Sequence, residues 1–165
     1  VALGAWTDAL LRRLGYDYPL FIKRGYHRHF LTPQPFEIPL LDVANGFMMA
    51  PMRTGLRITT GAEFARLDAP PTPVQIERSE AYVREMLDLG DAVESAPWLG
   101  ARPCVADMKP VVGAGYLHKG LWFNLGHGHQ GLTLGPATAR LLAEQMGDEQ
   151  VFVDPTPFLP SRFRT

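Results

Sequence analysis

The stretch LWFNLGHGHQGLTLGPATARLLAEQM, residues 121–146, decides how the rest of the chain is read. LWFNL is an apolar run with the look of a buried strand, and residues 126–131, GHGHQG, are a literal G-x-G-x-x-G. The residues from about 131 to 146 space their apolar and small side chains as a helix does. Asp154 follows about twenty residues beyond the last glycine, where a dinucleotide-binding fold places its ribose-binding acid. Position in the chain argues against that fold. A doubly wound nucleotide domain needs several strand and helix units after its first glycine turn, whereas only residues 132–165 follow here, and they end in the proline-punctuated DPTPFLPSRFRT. A nicotinamide-dependent oxidoreductase using GHGHQG as its phosphate turn would depend on Asp154 and stands as an alternative.

Glycines in such a turn let the backbone come close to a ligand and take positive φ. The helix that starts there presents unpaired N–H groups and the positive end of its dipole, which suits an electron-rich or anionic ligand atom. A turn that serves packing alone is the plainer reading. His127 and His129 have the H-x-H spacing of a metal pair, with His118 nearby, but no Asp, Glu or Cys completes a neighbouring set, and no metal is expected.

The chain of 165 residues is 46% apolar and 20% charged, enough for one substantial core and too apolar for disorder. Sixteen basic residues against seventeen acidic ones give a net charge of −1 with no basic block, which excludes a nucleic-acid backbone as the natural partner. Cys104 is the single cysteine, so no internal disulfide forms. Every long uncharged stretch is broken by Gly, Pro, Asn or His before it reaches the roughly twenty apolar residues of a membrane helix. A cytoplasmic protein is expected.

VALGAWTDALLRRLG reads as the end of a strand followed by a short helix closed by Gly15. Residues 19–31 and 46–67, rich in aromatic and β-branched side chains, read as strands of an antiparallel sheet, with Arg53, Thr54 and Gly55 as a turn. TPQPFEIP (32–39) and DAPPTP (68–73) are proline-rich connectors. Residues 75–89 place Ile76, Tyr82, Val83, Met86 and Leu89 among charges as an amphipathic helix.

Three serines, none in G-x-S-x-G, and a cysteine without an activating motif leave nucleophilic hydrolysis unsupported, and no catalytic dyad is visible. Arg102, in the Gly- and Pro-dense WLGARP, is either a surface cation or a bidentate partner for a carboxylate. Arg57 and Glu63 are expected to pair across strands with other charges. In KRGYH, Arg24 and Tyr26 share one strand face, and Lys23 and His27 the other.

Several of these pieces, in this order, resemble the C-terminal half of FAD-dependent oxidoreductases of the D-amino-acid oxidase superfamily, and most of all its D-amino-acid dehydrogenase branch. The resemblance is carried by VALGAW (1–6), KRGYH (23–27), GLRITTGAEFARLDAPP (55–71), WLGARPCVADMKPVVG (98–113) and LWFNLGHGHQGLTLGPATARLLAEQM (121–146), which together span almost the whole chain. The W-x-G-x-R-P block followed by G-H-G is its specific part.

The resemblance implies an α+β fold: a mixed, mostly antiparallel substrate-domain sheet with flanking helices, plus the terminal strand and C-terminal helix of an FAD-binding α/β domain. It divides the chain into an FAD-domain remnant (1–18), a substrate domain (19–110) and a return to the FAD domain (111–165). FAD would be lined by Gly126, His127, Gly128, His129, Gly131, Leu132 and Thr133. Arg102 would hold the carboxylate of an amino-acid substrate, with Tyr26, His27 and Met52 lining the pocket. The activity implied is oxidation of the amine-bearing carbon of a D-amino acid to a 2-oxo acid and ammonia, by hydride transfer to FAD. The true dinucleotide fingerprint would lie in an N-terminal half, on the same chain or on a companion chain in a hetero-oligomer, and these residues alone would be inactive. A peripheral link to a membrane electron acceptor is compatible with this reading. Where these relatives place an acidic residue and Gly before the proline of the block, the run here is Ala106-Asp107-Met108-Lys109-Pro110. A non-catalytic binding or assembly module derived from the substrate domain is the alternative from another class.

Overall fold

The apolar alternation of residues 19–67 does build an antiparallel sheet. The computed structural model describes residues 1–164. Its strands are β1 (Leu20–Phe30), β2 (Leu40–Asp42), β3 (Phe47–Met52), β4 (Gly55–Thr60), β5 (Glu63–Phe64) and β6 (Trp98–Val105), in the order β2-β3-β4-β1-β5, with β6 also pairing β1. β3 and β4 form a hairpin that closes where Met52 faces Gly55, so Arg53 and Thr54 make the expected turn. β4 pairs antiparallel with β1, setting His27 against Thr59 and His29 against Arg57. Two further strands, β7 (Val111–Ala114) and β8 (Trp122–Leu125), form a separate antiparallel pair. The helices are α1 (Thr7–Arg13), α2 (Val74–Met86) and α3 (Gly131–Met146).

The chain divides into two compact units. One joins residues 1–23 to residues 102–165, and the other is the contiguous run 24–101. In the contiguous unit, alternation puts Tyr26 and Phe30 of β1 with Leu56 and Ile58 of β4, and α2 closes this face with Ile76 and Val83. Phe30, Ile58 and Val83 are completely buried, each stabilising by about 1.5–3 kcal/mol relative to exposure. α2 is held at its solvated side by Arg84 and Glu80, 2.8 Å apart at i, i+4 spacing. It ends at Leu87, whose extended backbone breaks the helix before Leu89, the expected last turn.

In the discontinuous unit, Leu11 of α1 packs with Tyr16, Tyr18, Val105, Val111, Phe123 and Leu125. Tyr16 meets Phe123 and Tyr116 edge-on, with centroids 5.0 and 5.1 Å apart, and its hydroxyl accepts the Leu117 N–H at 3.1 Å. VALGAW is less of a strand than its sequence suggests. Only Val1 pairs beside β8, through Trp122 O and the Asn124 N–H, and Gly4–Trp6 already coil as a 3-10 turn running into α1. Pro136 lies deeper in α3 than its first turn, so it deprives the Leu132 carbonyl of a helical partner. Leu132 itself is 94% exposed.

Candidate functional site

The glycine turn of the discontinuous unit is built on β6. Cys104 and His127 form an isolated antiparallel bridge, which lays residues 126–128 along the end of that strand. Gly126 has φ +77° and Gly128 φ +59°, a left-handed region that penalises any L side chain. Space is short as well. A Cβ on Gly126 would lie 2.5 Å from Val105 Cγ2, and one on Gly128 would lie 3.2 Å from Cys104 Sγ.

α3 starts immediately beyond the turn. Gln130 provides no side-chain cap, and Thr133 turns its hydroxyl away from the first N–H groups to donate to Gln130 O at 3.0 Å. The leading N–H groups of the helix are therefore left for solvent or a ligand. Gly131, Leu132 and Thr133 are all exposed there, and the buried Asn124 Oδ1 on β8 has no hydrogen-bond partner among the described residues. Unpaired N–H groups, a positive dipole end and a bare leucine suit the electron-rich edge of a planar ring system such as a flavin.

His127 is fixed rather than free. Its Nε2 lies 2.9 Å from Thr138 Oγ1, and that hydroxyl donates to the carbonyls of Leu134 and Gly135. The ring must then carry its proton on Nε2 and donate it to Thr138. Burial holds His127 below the usual imidazole range. Because the unfolded chain binds this proton more readily, His127 favours the fold above about pH 6.5, and that contribution is lost as pH falls through its lowered folded value. His127→Gln keeps the donor to Thr138. It should flatten the loss of stability between pH 7 and 5, read as urea midpoints, whereas matching acid limbs would assign that loss to other groups. His129 is exposed, and no group of three His, Cys, Asp or Glu able to hold a metal occurs among the described residues.

Arg102 is half-buried on β6, and no partner of its guanidinium occurs among the described residues. It precedes Cys104 by two positions, so both side chains leave the same face of the strand, and the Cys104 side is the one against Gly128. The loop after β6 answers the Asp-Met-Lys-Pro departure. Met108 takes the left-handed conformation at φ +59°, and Asp107 Oδ1 accepts the Lys109 N–H at 3.1 Å. Although burial opposes it, Arg162 at 2.9 Å keeps the Asp107 carboxyl below its usual range. The turn is thus made by methionine in a conformation that glycine adopts more easily.

In the contiguous unit the three expected pocket residues part company. Tyr26 belongs to the core face. It is 2% exposed, donates to Glu63 at 3.1 Å and accepts the Thr72 N–H at 2.7 Å, so packing takes the place of pocket lining. His27 lies on the opposite face, half-buried and stacked on Trp98 at 4.6 Å. Burial, then the charge of Arg57, holds it below the usual imidazole range. Met52 shares that face but sits four residues along β3 from Met48, the residue level with Thr59 and His27. It borders a groove of about 370 Å³ with Leu31, Phe36 and Arg53. Glu63 pairs with Arg24, as expected of cross-strand charges, whereas Arg57 meets the ring of His29. Met48, His29 and Glu94 escape a motif search, whereas Trp98 opens the W-x-G-x-R-P block. The period of two that runs from His27 to His29 is the signal that reaches one of them.

β8 pairs antiparallel with β7, and α3 is followed by no strand among the described residues, so the βαβ unit that a nicotinamide phosphate turn requires is not formed. Asp154 caps its own turn, accepting the Thr156 N–H at 3.0 Å.

An antiparallel sheet with helical cover, and a glycine turn feeding an uncapped helix, fit a flavoprotein type of architecture. The chain belongs to the FAD-dependent oxidoreductase family, whose model matches residues 1–145. It is 34% identical over 163 residues to glycine oxidase of Pseudomonas aeruginosa, covering 98% of this chain and 44% of that protein. It is 30% identical over 167 residues to D-amino acid dehydrogenase of Sinorhizobium medicae, covering 99% of this chain and 40% of the relative. Among solved structures, glycine oxidase from Geobacillus kaustophilus shares the fold with a TM-score of 0.78 at 22% identity, over 98% of this chain and 44% of its own. Iminodiacetate oxidase from Chelativorans sp. superposes with a TM-score of 0.76 at 25% identity, over 97% of this chain and 45% of its own. The chain thus spans less than half the length of these proteins. The family is FAD-dependent, and the relatives named here are a glycine oxidase and a D-amino acid dehydrogenase. No helix among the described residues is long and apolar enough to cross a membrane.

Proposed function

We propose that these residues form the substrate-binding and flavin-capping part of an enzyme that oxidises the amine-bearing carbon of an amino acid, as the names of its glycine oxidase and D-amino acid dehydrogenase relatives suggest. The observation that carries this reading is the uncapped, exposed start of α3 behind a glycine turn with no room for a side chain at Gly126. Residues 1–18 and 111–165 are assigned to the flavin side and 19–110 to the substrate side. FAD, when bound, accepts the hydride of the amine-bearing carbon, and the product imine hydrolyses to a 2-oxo acid and ammonia.

The chain's own residues position and exclude. The N–H groups of Gly131, Leu132 and Thr133 stabilise negative charge at a ring edge, Gly126 and Gly128 let the backbone approach it, and His127 and His129 flank the turn. Arg102 offers its fork to the substrate carboxylate, which aligns the reacting carbon without acid or base chemistry if the amine arrives neutral. His27 and Met52 contribute to the substrate side. An N-terminal half on the same or a companion chain supplies the dinucleotide fingerprint, and electron delivery to oxygen or to a membrane acceptor is set outside these residues.

A visible absorption spectrum of the purified protein with its intact masses tests this reading. A flavin band bleached by amino acids without oxygen is expected. A protein that retains no flavin, even with its N-terminal half present, would overturn the reading in favour of a non-catalytic binding module. In the flavin-loaded protein, Arg102→Lys should raise KM by roughly 10- to 100-fold while kcat changes less, because a point charge replaces a bidentate fork. An unchanged KM would remove Arg102 from the substrate.

A further inference from the structure

Residues 104–111 of the discontinuous unit back the glycine turn along its length. Val105 crowds Gly126, and a Cβ on Gly128 would meet Cys104 Sγ at 3.2 Å and Met108 Cε at 3.9 Å. The conformation of this run therefore sets where the turn can sit. Its middle is held in an unfavourable backbone state, because Met108 takes φ +59°, which costs an L residue more than glycine. The Met108 N–H donates to Val105 O at 2.8 Å, and the Lys109 N–H to Asp107 Oδ1 at 3.1 Å. A loop keeps a residue in such a state only where the structure around it over-determines the conformation.

Arg162 supplies that constraint. Its Nε donates to Asp107 Oδ2 at 2.9 Å and its Nη2 to Asp107 Oδ1 at 3.4 Å, a bidentate grip, and Nη2 also donates to Lys109 O at 2.9 Å. Asp107 and Lys109 flank Met108, so the guanidinium spans the strained residue. From its other side, Nη1 donates to the carbonyls of Phe158 and Leu159 at 2.8 and 3.2 Å. The 3-10 turns Thr156–Phe158 and Pro160–Phe163 are thereby tied to the loop. They are fixed at a second point against β7, where Leu159 and Pro160 lie 3.1 and 3.2 Å from the place of a Gly113 Cβ. The Arg162 side chain is 15% exposed, which strengthens the pairing relative to open water. Arg162 lies beyond residues 1–145, which the family model matches.

We infer that Arg162 is a positioning residue for the cofactor: it locks residues 106–109 against the glycine turn and so fixes the first N–H groups of α3 relative to a bound flavin. This rests on the flavin reading above. Negative charge accumulates on the ring on reduction, and the N–H groups of Gly131, Leu132 and Thr133 stabilise it only as well as they are held in place. Among the described residues no hydrogen bond joins Arg162 to the turn or to α3, so its influence passes through Asp107 and Met108.

The test compares Arg162→Gln, Arg162→Lys and Met108→Gly in the flavin-loaded protein, by the midpoint potential of the flavin and by amide hydrogen exchange over residues 123–131. Arg162→Gln should speed exchange at the turn about tenfold and lower the potential by about 30 mV, the two-electron equivalent of a tenfold loss of preference for the reduced ring. Arg162→Lys, which keeps the charge but not the fork, should fall between Arg162→Gln and the wild type. Glycine at position 108 needs no clamp to hold φ +59°, so Arg162→Gln should do less to both readouts when made in Met108→Gly. A lowered thermal midpoint with unchanged exchange or an unchanged potential would reduce Arg162 to a structural tie and overturn the inference, and so would equal losses in the two backgrounds. A wild type that binds no flavin would instead sink the flavin reading. The clamp would then be judged by exchange alone: protection lost in Arg162→Gln sustains it, and unchanged protection overturns it.

Discussion

Replacing Arg24 by methionine is expected to destabilise the contiguous unit by about 3–5 kcal/mol, because removing one partner leaves the other charge and its acceptors without compensation. Arg24 is 1% exposed, yet it sits where a strand residue would otherwise be apolar. Its Nε lies 3.0 Å and its Nη2 2.9 Å from Glu63 Oε2, and the guanidinium also holds the carbonyls of Ala69 and Pro70. Methionine fills the volume of the stem and satisfies none of these. The connector at 68–73 should then detach from β1, since the Tyr26 hydroxyl and Glu63, which grip Thr72, lose their own anchor.

The same network predicts a pH dependence. Hydrogen bonds from Thr72, and then from Tyr26 and Arg24, hold Glu63 below the usual carboxylate range despite the opposing effect of burial. A carboxylate of lowered folded pKa stabilises above its unfolded value of about 4.3, and that contribution disappears as pH falls through the folded value. The stability gap between wild type and Arg24→Met should accordingly narrow below about pH 4. Urea denaturation at pH 7 and pH 3.5 reads both effects. A loss under about 1 kcal/mol at pH 7 would mean that the guanidinium contributes only the packing of its stem.

Gly126→Ala is the second large effect. An L residue at φ +77° costs about 1–2 kcal/mol, and forcing a methyl against Val105 Cγ2 adds about 1–3 kcal/mol or displaces the turn from β6. Because His127 is tied both to Cys104 and to Thr138, the turn cannot shift without loosening the start of α3. Flavin retention in the loaded protein should fall together with the thermal midpoint. Gly135→Ala is the control, since a Cβ there meets nothing within 4 Å in the same helix. Equal loss of flavin in the two variants would disconnect the turn from the cofactor.

Much of the fold was legible because its strongest signals are periodic. The helix expected over about 131–146 is α3, and residues 75–89 contain α2 apart from its first residue, Val74. The hairpin turn at Arg53 and Thr54 follows from Gly55, the one residue there able to take φ +130° against the Phe30 carbonyl. β6 was hidden because WLGARPCV mixes Gly and Pro into a strand that partner strands, not propensity, hold extended. The coil at Gly4–Trp6 was hidden too, since VALGAW has no helical period.

The candidate site divides along the same line. Gly126 to the start of α3 announced itself through glycine spacing and helix onset, which are local. Tyr26 was expected in the pocket from the family resemblance alone, and an aromatic strand residue can serve either face. Which face it took was settled by Glu63 and Thr72, far along the chain. The Arg57, His29 and Glu94 arrangement joins three separate segments, so of its members only Arg57 stood out in the residues.

The discontinuity of the first unit also shapes how the protein is made. Leu11, Tyr16 and Tyr18 leave the ribosome first, and Val105, Val111, Phe123 and Leu125, which bury them, are translated only after the whole of residues 24–101. At common elongation rates that wait is roughly ten seconds, long enough for the contiguous unit to fold first. Meanwhile these three side chains lack the partners that bury them in the finished unit. Synthesis rate and chaperone supply, rather than final stability, should therefore govern the yield of soluble material.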